Sequence, residues 1–467
     1  MKVPLVGTKG RSSNISPENL LNWFVEKNTN GESVVSTHGS TLLVTPTTGE
    51  VRGGIEYDGK GYFVIGNTLY EINSDGMATS RGTLNTSDGR VSMAHNGVRR
   101  SATQQIFIAD GSQRYIYDNT TSTLTGYTDY EAVTVVFLDG YFVFSVKDTD
   151  RFYITSLYDG VTIDVNDWAT AEGDPDALQA VATDRRDLFL FGKNTLEVWY
   201  NSGDPDNTFQ RYQGGSTQTG AAAKHSIQRF DNTLIWLTEN KRGDRMVATM
   251  GEAYSPHIVS TPEVNYRLST YTTYDNAFGY VYQHEGHEFY CLTFPSHNVT
   301  EVYDAATQQW HQRGHAIDGT FPNRERYNCH VFAFGKHLYG DVVNGKIYQL
   351  DTSVGTIDGT RIPRELTTPI ITDEEKRIRV SALQLDMEEG IGDPNESDTA
   401  MWLSYSKDGG HSYTDETDRS VGDTGEYSHR IKWRRLGQAR NWIFKFRTWS
   451  PNPMVLKGAY LRLYGER

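Results

Sequence analysis

The chain alternates short apolar runs with turn residues, and one phrase of that pattern recurs along most of its length. In Gly61-Tyr62-Phe63-Val64-Ile65-Gly66-Asn67-Thr68-Leu69-Tyr70-Glu71-Ile72 two apolar runs flank a Gly-Asn pair. This is the pattern of a β-hairpin whose turn needs a residue tolerant of positive φ. The phrase returns at residues 104–118, 140–157, 187–201, 232–250, 287–304 and 336–351, with starts spaced by 43, 36, 47, 45, 55 and 49 residues. Strand-dominated repeats of about 40 to 50 residues predict a β-propeller, because one blade cannot bury both faces alone and must stack on its neighbours. The repeats therefore predict about seven blades. The competing arrangement is a run of independent hairpins in one large sandwich, since neither a WD nor a kelch signature marks the units.

From about residue 360 the pattern changes to longer alternating strands separated by polar loops, over 361–386, 400–406, 430–436, 441–449 and 455–464. These predict a β-sandwich. The expected fold is all-β: an N-terminal arm over 1–50, a propeller over 51–359 and a sandwich over 360–467. Within the arm, Ser16 and Pro17 precede an apolar stretch ending at Val25 and predict a short capped helix. Residues 33–45 read as extended chain that could complete the last blade. Two loops, 172–176 and 202–206, carry Gly-Asp-Pro-Asp. They read as structural turns, since their carboxylates lack the alternation of a calcium loop.

A length of 467 residues exceeds one ordinary core and fits two domains. The 28 tyrosines supply apolar bodies with polar tips, which suits half-buried strands and protein interfaces. A net charge of -14 argues against generic wrapping of nucleic acid, although an acidic surface can line a passage for DNA. The N-terminus lacks the apolar core of a signal peptide, and no run is long and apolar enough to span a membrane. Cys291 and Cys329 lie in apolar strand-like stretches and are expected to stay reduced.

Catalytic text is sparse. Ser406-Lys407-Asp408-Gly409-Gly410-His411-Ser412-Tyr413 matches the Asp-box of sialidases and related propellers, a motif that stabilises a hairpin and does no chemistry. A glycosidase would also need converging carboxylates. His284-Glu285-Gly286-His287-Glu288 resembles zinc-binding text, but its histidines are three apart, in a hairpin context. Residues 215–220 have phosphate-loop spacing without the required Lys-Ser/Thr. No catalytic, cofactor or metal residue is therefore predicted, and the chain is not expected to be an enzyme. One cationic cluster stands out from the acidic background: Lys432, Arg434, Arg435, Arg440, Lys445 and Arg447, interleaved with Trp433, Trp442, Phe444, Phe446 and Trp449. Lys432, Trp433, Arg434, Arg435, Arg440 and Trp442 are the candidate interface residues, for an acidic neighbour or DNA.

Residues 89–97 (GRVSMAHNG), 431–437 (IKWRRLG) and 439–447 (ARNWIFKFR) resemble the packaged-DNA stabilisation, or tail hub, proteins of P22-like short-tailed bacteriophages. The likeness continues through Ser450-Pro451, Leu456-Lys457-Gly458 and Leu461-Arg462-Leu463, and Arg52-Gly53-Gly54-Ile55-Glu56-Tyr57 extends it to the first blades. The resemblance implies a virion protein, a head-to-tail connector assembled in the host cytoplasm. Such a hub closes the portal channel after packaging and retains the genome until ejection. It also implies a sixfold homo-oligomeric ring, with the portal-adaptor ring, tail needle and tailspike as partners and double-stranded DNA passing through the lumen. The alternative is a propeller glycoside hydrolase or lyase, or a glycan-binding adhesin of a phage tail.

Overall fold

The computed structural model describes all residues except 8–10, 12–17, 29–30, 98–102, 165, 172–175, 205–206, 318–319, 375, 389–399, 423–424, 427–428 and 464–467. Among the described residues, seven four-stranded antiparallel blades stand around one axis. Their innermost strands are Val51–Tyr57, Ser92–His95, Ala132–Leu138, Leu178–Asp184, Gln228–Phe230, Phe278–His284 and Tyr327–Ala333. In every blade the second and third strands are the hairpin of the sequence repeat. The circle closes where blade 7 meets blade 1: a Cβ on Gly54 would lie 2.9 Å from the Val331 side chain.

Burial explains why the hairpins were legible and their flanking strands were not. Second strands such as Lys60–Ile65 and Gln105–Ala109 are buried on both faces between blades, so they are written as continuous apolar runs. The outermost strands, such as Ala78–Thr83 and Thr123–Tyr127, are largely exposed edges with polar sequences. The link between the first two strands of a blade is a second repeated signal. Asp58-Gly59, Asp139-Gly140, Asp231-Asn232, Glu285-Gly286 and Phe334-Gly335 all have φ between 45° and 98°. Two consecutive positive φ values define the type I′ hairpin turn, which favours Asp, Asn and Gly.

Residues 1–50 contribute to both halves of the molecule. Gly39–Val44 pairs antiparallel with Ile347–Asp351 and completes blade 7. Gly31–Ser36 instead joins the first sandwich sheet, whose order is Trp23–Asn28, Gly31–Ser36, Val455–Leu463, Ile378–Met387, Ile431–Ala439. The second sandwich sheet contains Arg364–Thr367, Ile443–Thr448, Ala400–Ser406 and Thr417–Ser420. It is continuous with blade 6 through Asn19–Leu21, which pairs parallel with blade 6 at Leu21 and Gln312. Trp23, Leu383, Met401, Trp433, Trp442, Phe444 and Leu461 lie in the core between the two sheets.

The helix expected over residues 16–25 is corrected: Asn19–Leu21 and Trp23–Asn28 are strands, divided by Asn22 at φ 59°, while Ser16 and Pro17 lie outside the described residues. Leu20, Trp23 and Val25 enter the sandwich core, while Phe24 enters a core shared with blades 6 and 7. Burial on both faces makes the run continuously apolar, and such a run does not distinguish strand from helix. Among the described residues the one α-helix is Pro262–Thr270, capped by Thr261 and buried through Val264 and Leu268. Cys291 and Cys329 are free and buried, and burial pushes their thiols up to about 12 and about 11. No described helix is long and apolar enough to cross a membrane.

Candidate functional site

The cationic cluster of the sequence is sorted by strand geometry. Strand Ile431–Ala439 is an edge of the first sandwich sheet and pairs with Ile378–Met387, which pairs in turn with Val455–Leu463. The register sets Lys432, Gln384, Tyr460 and Lys2 in one row across the sheet, and Arg434, Ala382 and Arg462 in the next. Ala382 is 4% exposed although it lies on the outer face. Long basic side chains flank this small residue and cover apolar surface with their stems.

At Arg435 (φ 61°) the register slips from Ala382–Arg434 to Val380–Gly437. Strict alternation would send one of two successive residues inward. The bulge leaves both Arg434 and Arg435 exposed, and Arg440 follows them at the strand end, also exposed. Among the described residues, none forms an ion pair with Lys432, Arg434, Arg435, Arg440 or Arg462. Burial, then the charges of Arg462, Arg434 and Arg430, push the Lys432 ammonium below its ordinary pKa.

The rest of the cluster is neutralised or internal. Lys445 and Arg447 reach Glu365 at 3.7 and 3.4 Å, and Arg447 also binds Glu416 at 2.9 Å. Trp433 and Trp442 are 2% and 0% exposed, which removes them as partner anchors. Their indole N–H groups donate to the carbonyls of Thr417 and Ile378 at 3.0 and 3.2 Å. Inward alternation places them in the core, and the same alternation turns the charges outward. The site is thus a basic outer face of the sandwich, to which Arg462 and Lys2, absent from the sequence-based set, contribute from neighbouring strands.

On the propeller axis a cavity of about 380 Å³ is lined by the inner strands of all seven blades. Its charged lining residues are Arg90, Lys224 and Arg229, with His225 and His330 beside them and no Asp or Glu among the described lining residues. The paired carboxylates of glycoside hydrolysis do not meet there. Arg52, fully buried, donates to the carbonyls of Gly89, Gly66 and Thr86 at 2.5, 3.0 and 2.8 Å, and so seats the loop that carries Arg90. Arg90 in turn donates to the Asn328 carbonyl at 2.8 Å and lies 3.9 Å from the centre of the Phe278 ring. The two N-terminal motifs of the resemblance are therefore one packed unit at the axis.

A larger groove, about 730 Å³, opens at blades 4 to 6 and is acidic, with Asp184, Asp187, Asp231 and Glu252 in its wall. The Asp-box is a closed turn. Ser412 donates its N–H and hydroxyl to Asp408 at 3.0 and 2.5 Å, and Ser406 donates its hydroxyl at 2.7 Å. These bonds, from Ser412 first, hold the Asp408 carboxyl well below the usual range. The turns at 172–176 and 202–206 lie partly outside the described residues.

Fold and surface together define a two-part propeller–sandwich protein with an unpaired basic face on the outside of the sandwich. A family model described as Bacteriophage P22 Gp10, beta-propeller, matches residues 1–355, and one described as Bacteriophage P22 Gp10, beta-sandwich, matches residues 363–464. The chain belongs to this P22 Gp10 family, as the resemblance of its motifs implied. It is similar to the tail hub protein gp10 of Salmonella phage P22, 25% identical over 433 residues that cover 88% of each chain. Two solved structures are more distant. The extracellular domain of the one component system BT4673 from B. thetaiotaomicron aligns at TM-score 0.45 and 11% identity, covering 92% of this chain and 62% of that one. PorZ, a surface component of the type-IX secretion system of Porphyromonas gingivalis, aligns at TM-score 0.41 and 12% identity, covering 81% and 46%. The chain spans less than two thirds of either, and likenesses at this level carry no functional argument.

Proposed function

We propose that this chain is a structural tail hub protein of a short-tailed bacteriophage virion, acting without catalysis as a head-to-tail connector. The observation that carries the proposal is agreement with the P22 Gp10 family over both propeller and sandwich. In this proposal copies of the chain form a sixfold ring below the portal and its adaptor ring. The hub closes the channel after packaging and anchors the tail needle and tailspikes until ejection.

The physical chemistry fits a collar. Blade 6 runs into the sandwich as one sheet, so load on the sandwich is carried into the propeller through backbone hydrogen bonds. An axial cavity of about 380 Å³ holds a small molecule and not a duplex, so the DNA path lies between protomers. A net charge of -14 on each copy opposes general adhesion to phosphate. The basic sandwich face is the surface for an acidic neighbouring protein, and repeated weak contacts around a ring add up to firm attachment.

Genome retention is the test. Particles assembled without this protein are expected to fill with DNA and then lose it, with retention restored by adding the purified chain. Full retention without the protein would overturn the proposal.

A further inference from the structure

We propose that His38, His284 and Glu285 form a binding site for a divalent transition-metal cation of the zinc type, which clamps the closing strand of blade 7 to blade 6. The three residues come from distant parts of the chain. His284 ends the inner strand of blade 6, Glu285 begins its type I′ turn at φ 50°, and His38 immediately precedes Gly39–Val44, the strand that completes blade 7.

Their ligand atoms lie within 4.8 Å of one another. Nε2 of His38 is 3.5 Å from one Glu285 carboxylate oxygen, and Nε2 of His284 is 3.6 Å from the other. These separations are too long for good hydrogen bonds. They match the edge of a coordination tetrahedron: zinc–nitrogen and zinc–oxygen bonds of about 2.0 to 2.2 Å place neighbouring ligand atoms about 3.4 Å apart. Both ring nitrogens of His38 and Nε2 of His284 are buried without a hydrogen-bond partner among the described residues. Buried polar atoms left in that state call for a partner, and an imidazole lone pair facing a carboxylate suits a cation. The two rings meet edge-on, with centroids 5.0 Å apart at 83°.

The surrounding charge permits a cation. Glu285 is 61% exposed and opens onto a groove of about 460 Å³ whose other charged walls are Asp231 and Glu288, so ion and water have access to the fourth position. The nearby cations are engaged elsewhere. Arg313 binds the Tyr282 hydroxyl at 2.6 Å and pairs with Glu325 at 3.6 Å, and Arg364 donates to the carbonyls of Ser450 and Thr37 at 2.7 and 3.3 Å. His287, the second histidine of the local sequence motif, lies outside the group of ligand atoms within 4.8 Å of one another, and its Nδ1 lies 2.9 Å from an Asp304 carboxylate oxygen.

The test uses the full chain after dialysis against a chelator, titrated with Co²⁺ by visible absorption and with Zn²⁺ by calorimetry. A single equivalent of Co²⁺ should produce the d–d bands of a low-coordinate site and be displaced by Zn²⁺. His38→Gln and Glu285→Gln each remove a ligand and should weaken binding by more than the about 10- to 100-fold that loss of an outer-shell partner costs. The exposed His257→Gln should leave it unchanged, and Zn²⁺ should raise the melting temperature of the parent chain and not of E285Q. Glu285 lies in an exposed turn, so E285Q keeps the experiment decisive if H38Q fails to fold. Absence of stoichiometric binding, or parental affinity in E285Q, would sink the site.

Discussion

Glu301 is fully buried in blade 6, and its charge depends on one helix. Arg267, on Pro262–Thr270, donates Nε and Nη2 to the two carboxylate oxygens at 2.9 and 2.7 Å, and Gln312 and Tyr271 add bonds at 2.9 and 3.1 Å. Burial, the largest single influence, would raise the Glu301 pKa, but Arg267, Gln312 and Tyr271 together outweigh it and the net shift is below the ordinary 4.5. A depressed carboxyl pKa contributes stability that is present above the unfolded value and lost as pH falls through the folded one. Glu301→Gln leaves a buried guanidinium uncompensated and is expected to cost about 3–5 kcal/mol in urea unfolding at pH 7. The gap between E301Q and the parent chain should narrow below pH 4.5. The tyrosines carry a related lesson: among the described residues only Tyr266 and Tyr460 stand among the prominently exposed large hydrophobics. Most of the residues that suggested an interface between subunits pack blade against blade.

The N-terminal segment is the element on which both halves depend. It supplies Trp23–Asn28 and Gly31–Ser36 to one sandwich sheet, Asn19–Leu21 to the junction with blade 6, and Gly39–Val44 to blade 7. Tyr327 donates its hydroxyl to Ser40 at 2.7 Å across the closure, and Thr37 donates its backbone N–H to the Asn22 carbonyl at 3.1 Å. Deleting residues 1–44 exposes strand edges in three places, and such edges invite aggregation. Calorimetry of the truncated chain is expected to show a lower, broader transition than the single cooperative one of the full chain, with aggregation visible by light scattering.

Across the whole molecule the acid excess is interrupted by the outer face that carries Lys432, Arg434 and Arg462. Unpaired charges on an outer face contribute little to stability, at about 0.5 kcal/mol per substitution, so reversing two of them should leave the fold within about 1 kcal/mol of the parent. Under the connector role proposed above, the double variant Lys432→Glu with Arg434→Glu should weaken attachment to portal–adaptor particles by roughly tenfold and flatten its dependence on salt. Co-sedimentation at two ionic strengths checks both effects. Unchanged attachment would remove this face as the contact surface.

Periodicity along the chain determined the seven hairpins, since strands buried on both faces must be apolar wherever the chain later goes. It also determined which way the cluster near residue 440 turns, because alternation alone separates Trp442, Phe444 and Phe446 from Lys445 and Arg447. Only the tertiary structure decided where residues 19–25 belong, that Arg434 and Arg435 both face solvent, and that Arg462 and Lys2 join them. It alone brings His38 to Glu285. The physical reason is reach: local pattern records how much of a residue is buried, while register, bulges and long-range strand pairing record against what, and those depend on segments hundreds of residues away.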